Sequence, residues 1–158
     1  MMKIVFPGSF DPITVGHIYI IEKVKDLFDD ITVLVENNPA KKYMFDMDER
    51  VRLVKKALKK YDFVTVDTHE GLTVEYCREH GAGYILRGLR NEDDFRYEKT
   101  LDAYNHEIGN VETVYVVATE REHVSSSGVR ELLNYGADIK GYVPEEILDD
   151  INKIKKNH

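Results

Sequence analysis

The sequence predicts an α/β fold class. It reads as a single Rossmann-like domain over residues 1–158, with a doubly wound parallel five-stranded sheet in the order 3-2-1-4-5 and C-terminal helices. Three observations predict it. Strand and helix patterns alternate along the chain. Each strand candidate is a short apolar run, as expected of a parallel strand covered on both faces. Two chemically unusual segments, Gly8–His17 and Arg87–Arg90, follow the first and fourth strands. Those strands are neighbours where this winding reverses, which is where such folds bind ligands.

The strand candidates are Lys3–Phe6, Ile31–Val35, Phe63–Val66, Tyr84–Leu86 and Thr113–Val117. After the first, Ile18, Ile21, Val24, Leu27 and Phe28 share one helical face. After the second, Val51, Val54, Leu58 and Tyr61 do the same, and Asp46 with Glu49 has capping-box spacing. A helical pattern around Tyr76 and Cys77 stops at Gly81. Glu92–Ile108 reads as a long polar helix before the last strand. Val129–Leu133 follows, with Gly136 as its stop, and then Glu145–Ile154, with Pro144 suited to a first turn. The lysine-rich tail, Lys153 to Lys156, reads as a solvated, fraying helix end. No repeat, low-complexity tract or linker divides the chain.

Composition excludes several function classes. The chain carries 22 basic and 29 acidic residues, a formal charge of −7. A general nucleic-acid binder shows a basic face instead, so no nucleic-acid partner is expected. The single cysteine, Cys77, excludes an internal disulfide and fits a reducing, cytoplasmic compartment. Nothing beside it in sequence suggests an activated thiol. No apolar run approaches the roughly 18 residues of a membrane span, and the N-terminus MMKIVFPG has no signal-like apolar region.

The chemistry concentrates in four segments. Gly8–His17, G-S-F-D-P-I-T-V-G-H, is a strand-to-helix turn. Its glycines let the backbone approach a ligand, and the helix start behind it presents free N–H groups to an anion. His17 alone could simply bond the turn, but together with Ser9, Thr14 and Gly16 it suggests a phosphate site with a working histidine. Asp11 and Pro12 suit a structural role in the turn. In the second segment Arg87 suits a bidentate phosphate clamp, while Arg90 has ion-pairing competitors in Glu92, Asp93 and Asp94. In the third, Lys41 and Lys42 follow the second strand at the same end of the sheet. The fourth, V-S-S-S-G-V-R (Val124–Arg130), is either a helix cap or a hydroxyl and N–H cradle for an anion.

These segments together resemble the nucleotidylyltransferase superfamily, whose T/H-x-G-H and I-S-S/T-T/S-x-x-R signatures stand here as Thr14–His17 and Val124–Arg130. P-G-S-F-D-P-I-T-V-G-H, N-P-A-K-K-Y-M-F, R-G-L-R and D-F-R-Y-E further resemble the bacterial-type phosphopantetheine adenylyltransferases, in the same order over nearly the whole chain. The resemblance implies transfer of AMP from ATP to 4′-phosphopantetheine, giving dephospho-coenzyme A and pyrophosphate. It implies magnesium with ATP, a homohexamer and feedback by coenzyme A, while the sequence names no protein ligand for the metal. Carried over by position, Ser9, Lys41, Thr73 and Arg87 would contact phosphopantetheine. Ser9, Phe10, His17, Gly88, Leu89, Arg90, Glu98 and the stretch Arg121, Glu122, His123, Val124, Ser125, Ser126 and Ser127 would contact ATP. His17 would stabilise the transition state, with Lys41 and Arg90 as catalytic cations. Arg121 and His123 stand where the family often carries aromatic or apolar residues, and Thr73 where some members carry a larger apolar one.

The acceptor phosphate is already an anionic nucleophile, so the implied task is positioning and charge stabilisation, without a covalent intermediate. Two other readings compete. One is a small nucleotidylyltransferase with a different acceptor, such as glycerol 3-phosphate or nicotinamide mononucleotide; R-G-L-R argues against it. The other is a non-catalytic nucleotide-binding module, which would not need both signatures.

Overall fold

The structure, a computed structural model, describes residues 1–119 and 123–157. Five parallel strands and six helices alternate as the sequence predicts: β1 (Lys3–Gly8), α1 (Val15–Val24), β2 (Asp30–Glu36), α2 (Met47–Leu58), β3 (Val64–His69), α3 (Thr73–His80), β4 (Tyr84–Leu89), α4 (Glu92–Gly109), β5 (Glu112–Val117), α5 (Ser126–Asn134) and α6 (Glu145–Asn157). The sheet order is β3-β2-β1-β4-β5.

Successive side chains of a strand enter opposite faces, so a strand covered on both sides must be apolar at every position. Ile4, Phe6, Ile31, Val33, Val35 and Leu86 enter one core, with residues of α1, α2, α5 and α6. Val5, Leu34 and Ile85 enter the other, with Val74, Tyr76 and Cys77 of α3. Cys77 is fully buried there. Burial, and secondarily the charge of Glu36, pushes its thiol up to about 12, so it stays an inert thiol.

Local chemistry sets the element ends. Asp46 and Glu49 form a complete capping box at the start of α2. Gly81 ends α3 in the left-handed conformation, and Asn110 does the same for α4. α1 stops earlier than its apolar pattern suggests. Leu27 lies beyond it and is 63 % exposed, because the chain turns toward β2 and carries Leu27 off the packed face. Tyr61 likewise falls beyond α2. No described helix is long and apolar enough to cross a membrane.

One asymmetry of the sheet positions the site. β1 pairs with β2 from Lys3–Asp30 through Gly8–Val35. With β4 it pairs only at Ile4–Tyr84 and Val5–Ile85. The carboxyl ends of β1 and β4 therefore part. Pro7, which has no N–H to give a ladder, lies where that pairing has already ended.

Candidate active site at the parting of β1 and β4

A cavity of about 440 Å³ opens at that parting. The turn Gly8–His17, the loop Lys41–Tyr43, residues Arg87, Gly88 and Arg90, Glu98, and Val124–Ser127 all contribute to its walls. Segments separated by more than a hundred positions thus meet at the carboxyl end of the sheet.

His17 occupies the third position of α1, whose N-cap is Thr14. The Thr14 backbone N–H donates to His17 Nδ1 at 2.9 Å, and Gly16 N–H donates to Thr14 Oγ1 at 3.2 Å. A backbone amide can only donate, so Nδ1 must accept and the neutral ring carries its proton on Nε2. Burial, with a smaller contribution from the Arg90 charge, lowers the imidazole from 6.5 to about 4. His17 is therefore neutral at pH 7. Its ring packs on Phe10 with centroids 4.7 Å apart, and Phe10 in turn packs edge-on against Phe6. Phe10 holds φ +48°, a left-handed conformation rare for a bulky residue, so backbone strain sits beside the histidine.

The cations stand differently from one another. Arg87 lies within β4 rather than after it, half-buried, with Nε 3.1 Å from Glu98 Oε2. Arg90 is exposed beyond the strand and pairs with Asp94 at 3.5 Å, one of the competitors its sequence neighbourhood suggested. Asp94 also accepts the Arg90 backbone N–H. Lys41 and Lys42 project from an exposed loop into the cavity wall.

The serine segment is both a cap and a wall. Ser125 is the N-cap of α5 and accepts the Gly128 N–H at 3.0 Å. Ser126 Oγ donates to the Pro12 carbonyl at 2.8 Å, and Arg130 donates to the Asp11 carbonyl at 2.8 Å. A Cβ added to Gly16 would stand 3.0 Å from the Val124 carbonyl oxygen. Glycine at that position is what lets the two segments touch.

The cytidylyltransferase-like family model matches residues 5–132. The chain is 44 % identical over 148 residues to the phosphopantetheine adenylyltransferase of Thermotoga neapolitana, covering 92 % of each chain. It is 44 % identical over 155 residues to that of Streptococcus pneumoniae strain Taiwan19F-14, covering 96 % of each. To that of Christiangramia forsetii it is 38 % identical, over 93 % of this chain and 98 % of the relative. The chain belongs to the phosphopantetheine adenylyltransferase family. A crystal structure from Vibrio parahaemolyticus, provisionally assigned as a nicotinate-nucleotide adenylyltransferase, superposes with a TM-score of 0.72 over 96 % of this chain and 99 % of its own. At 23 % identity that likeness shows the fold.

Within this phosphopantetheine adenylyltransferase family member, the turn is stitched from behind as well. Asp11 is 2 % exposed and its carboxylate accepts the backbone N–H groups of Met44 and Phe45, both at 2.9 Å. Arg50, 1 % exposed, donates to carbonyls of Ser9, Glu36 and Phe45 and to Asn37 Oδ1. Sequence reasoning passed over Arg50. A signal was present: it lies three and four positions before Leu53 and Val54, on the buried stripe of α2. A charged residue on an apolar stripe must find partners inside.

Other residues that the family resemblance singled out lie off the cavity wall. Thr73 begins α3, and its hydroxyl donates to the Glu36 carboxylate. Burial raises Glu36, against the opposing effects of Thr73, Arg87 and His69. Leu89 is buried at the end of β4. His123 is exposed, with its ring edge-on to Tyr142 at 6.3 Å. Arg121 and Glu122 lie outside the described residues.

Proposed function

We propose that this chain transfers the AMP moiety of ATP to 4′-phosphopantetheine, forming dephospho-coenzyme A and releasing pyrophosphate. One observation carries the reading: Lys41, Arg87, Arg90, a neutral His17 and the N-terminus of α5 line a single cavity. A site that joins two polyanions needs that combination.

In the proposed reaction an oxygen of the acceptor phosphate attacks the α-phosphorus of ATP. A bond forms there as the bond from the α-phosphorus to the bridging oxygen breaks, and the electron pair leaves on pyrophosphate. Lys41 and Arg87 hold the acceptor phosphate. His17 donates Nε2–H to a non-bridging oxygen of the α-phosphate, where charge grows; Ser9 supports the same turn. Arg90 and the Ser125–Ser127 helix start receive the departing pyrophosphate. Every group acts by position and charge, and none needs to take a proton from the nucleophile.

Magnesium would arrive with ATP. Among the described residues no three His, Cys, Asp or Glu side chains gather to hold a metal. The cavity's carboxylates are engaged, Asp11 by Met44, Phe45 and Arg130, and Glu98 by Arg87. Phosphate oxygens and waters would supply its ligands. Coenzyme A shares the acceptor's pantetheine chemistry, which supports feedback at the acceptor pocket. The homohexamer follows from the family reading; α4, which buries no residue and leaves Tyr97, Tyr104 and Ile108 exposed, supports self-association. The partners in this reading are small molecules in the cytoplasm, with no nucleic acid or membrane.

Pyrophosphate release from ATP, measured with phosphopantetheine, glycerol 3-phosphate and nicotinamide mononucleotide in turn, tests the reading. Turnover with phosphopantetheine alone supports it. Turnover with another acceptor replaces the substrate, and ATP binding without pyrophosphate release from any acceptor replaces the enzyme with a binding module.

A further inference from the structure

We propose that Arg50 is the positioning residue that couples the acceptor subsite to the ATP subsite. The proposal rests on the adenylyltransferase reading above. Arg50 does not line the cavity, so it acts through other groups. Its guanidinium plane donates to four acceptors from three chain segments. These are the Ser9 carbonyl at 2.9 Å, the Glu36 carbonyl at 3.0 Å, Asn37 Oδ1 at 2.8 Å and the Phe45 carbonyl at 3.1 Å. Ser9 belongs to the turn that carries His17. Glu36 and Asn37 begin the loop that carries Lys41.

The guanidinium face is used as well as its edge. The Tyr43 ring lies over it, 3.9 Å from Arg50 Cζ to the ring centroid. Tyr43 hydroxyl accepts the Asn38 N–H at 2.6 Å, and the Asn38 carbonyl accepts the Lys41 N–H at 2.9 Å. A continuous path of contacts therefore runs from the Ser9 carbonyl through one guanidinium to the backbone of Lys41. Asp11 ties the same turn to Met44 and Phe45 beyond the loop.

This arrangement needs arginine. A planar fork of fixed donors can hold acceptors in several directions while stacking on a ring, whereas a lysine ammonium offers three donors from one point. The loop itself is exposed from Asn37 to Lys42, so nothing in the core holds it in register. Phosphoryl transfer depends on the reacting atoms meeting at about 3–3.5 Å, and a displacement of about 1 Å can cost on the order of 100-fold. Arg50 sets that distance by fixing the loop of Lys41 to the turn of His17.

The test is steady-state pyrophosphate release by the full chain carrying Arg50→Lys, Lys41→Ala, or both, below each variant's melting temperature. Arg50→Lys is expected to raise the phosphopantetheine KM and to lower kcat, each about tenfold. In the Lys41→Ala background its effect on that KM should shrink below about twofold, because the group it positions is gone. A purely structural role predicts additive effects, and additivity overturns the proposal, as does wild-type behaviour of Arg50→Lys. If Arg50→Lys does not fold, Tyr43→Phe breaks the path at the Asn38 N–H and should raise the phosphopantetheine KM about threefold with the ATP KM unchanged, on the scale of one lost hydrogen bond. Unchanged constants overturn the proposal. If the wild-type chain shows no turnover with phosphopantetheine, the reaction assignment falls separately. Arg50 is then judged by ATP binding alone, where Arg50→Lys should weaken affinity several-fold through the Ser9 turn and unchanged affinity overturns the role.

Discussion

Thr14 holds the ring of His17 by a backbone hydrogen bond to Nδ1 at 2.9 Å, and that bond decides where the imidazole proton sits. The same three-residue spacing that caps α1 leaves Nε2–H as the donor. The helix cap and the proposed catalytic donor are thus one structure, made from T-V-G-H.

Replacing His17 with alanine should lower kcat at least about 100-fold, the scale of losing one preorganised donor to a developing oxyanion. ATP affinity should change little, since neutral imidazole adds little to ground-state binding. Turnover near that of the wild type would remove His17 from the transition state.

The low proton affinity of His17 has a defined consequence for stability. Its folded value of about 4 lies below the usual 6.5, so between those pH values the unfolded chain binds a proton that the folded chain refuses. His17 therefore costs stability as pH falls from 6.5 toward 4, and nothing above 6.5. The Cε1 proton of His17 should titrate by NMR near pH 4 in the free protein. The fall in melting temperature between pH 7 and pH 5 should be smaller in His17→Gln than in the wild type. A midpoint near 6.5 would show that the ring is not held as described.

Lys41→Ala should raise the KM for phosphopantetheine more than that for ATP in steady-state pyrophosphate assays. The reverse ranking moves Lys41 to the nucleotide side.

Glu98 is ion-paired with Arg87, so it competes with an incoming phosphate for the guanidinium. A partly exposed pair of this kind is worth up to about 1 kcal/mol, or about fivefold. Glu98→Gln should therefore lower the phosphopantetheine KM by up to about fivefold. A raised KM would show that Glu98 aims Arg87 rather than competing for it.

Gly16→Ala tests the seam between the first turn and α5. The new methyl would meet a backbone oxygen at 3.0 Å, which cannot rotate away. Overpacking of this kind costs about 1–3 kcal/mol. The ATP KM should rise, because the Ser125–Ser127 helix start is pushed off the turn. An unchanged ATP KM would separate α5 from the nucleotide.

Much of the fold is legible because the central strands β1 and β2 carry apolar residues on both faces and most helices carry them on one stripe, whereas the edge strands β3 and β5 and the helix α4 bury none of their residues. Ile31–Val35 reads as a covered strand, and Asp46 with Glu49 as a helix start. Leu27 misled because periodicity does not say where a helix ends; the turn into β2 takes it into solvent. In the site, His17 and the serines were legible from short motifs, since a cap and its helix are local. Arg50 was not, because its acceptors are backbone carbonyls of Ser9, Glu36 and Phe45, and a carbonyl carries no sequence signature.

The sequence by itself determined the alternation of elements, the strand order through its switch-point segments, the T-V-G-H cap that carries His17 and the family. These depend on spacings of a few residues, or on patterns that any α/β sheet must satisfy. The burial that keeps His17 neutral came from the tertiary structure. Only the tertiary structure decided that β1 and β4 part after Val5 and Ile85 to open the cavity, and that Arg87 rests on Glu98. It also decided that Arg50 ties Ser9 to the loop of Lys41. Those are contacts between segments distant in the chain, fixed by how the strands pair and which charges find partners, and no local pattern encodes them.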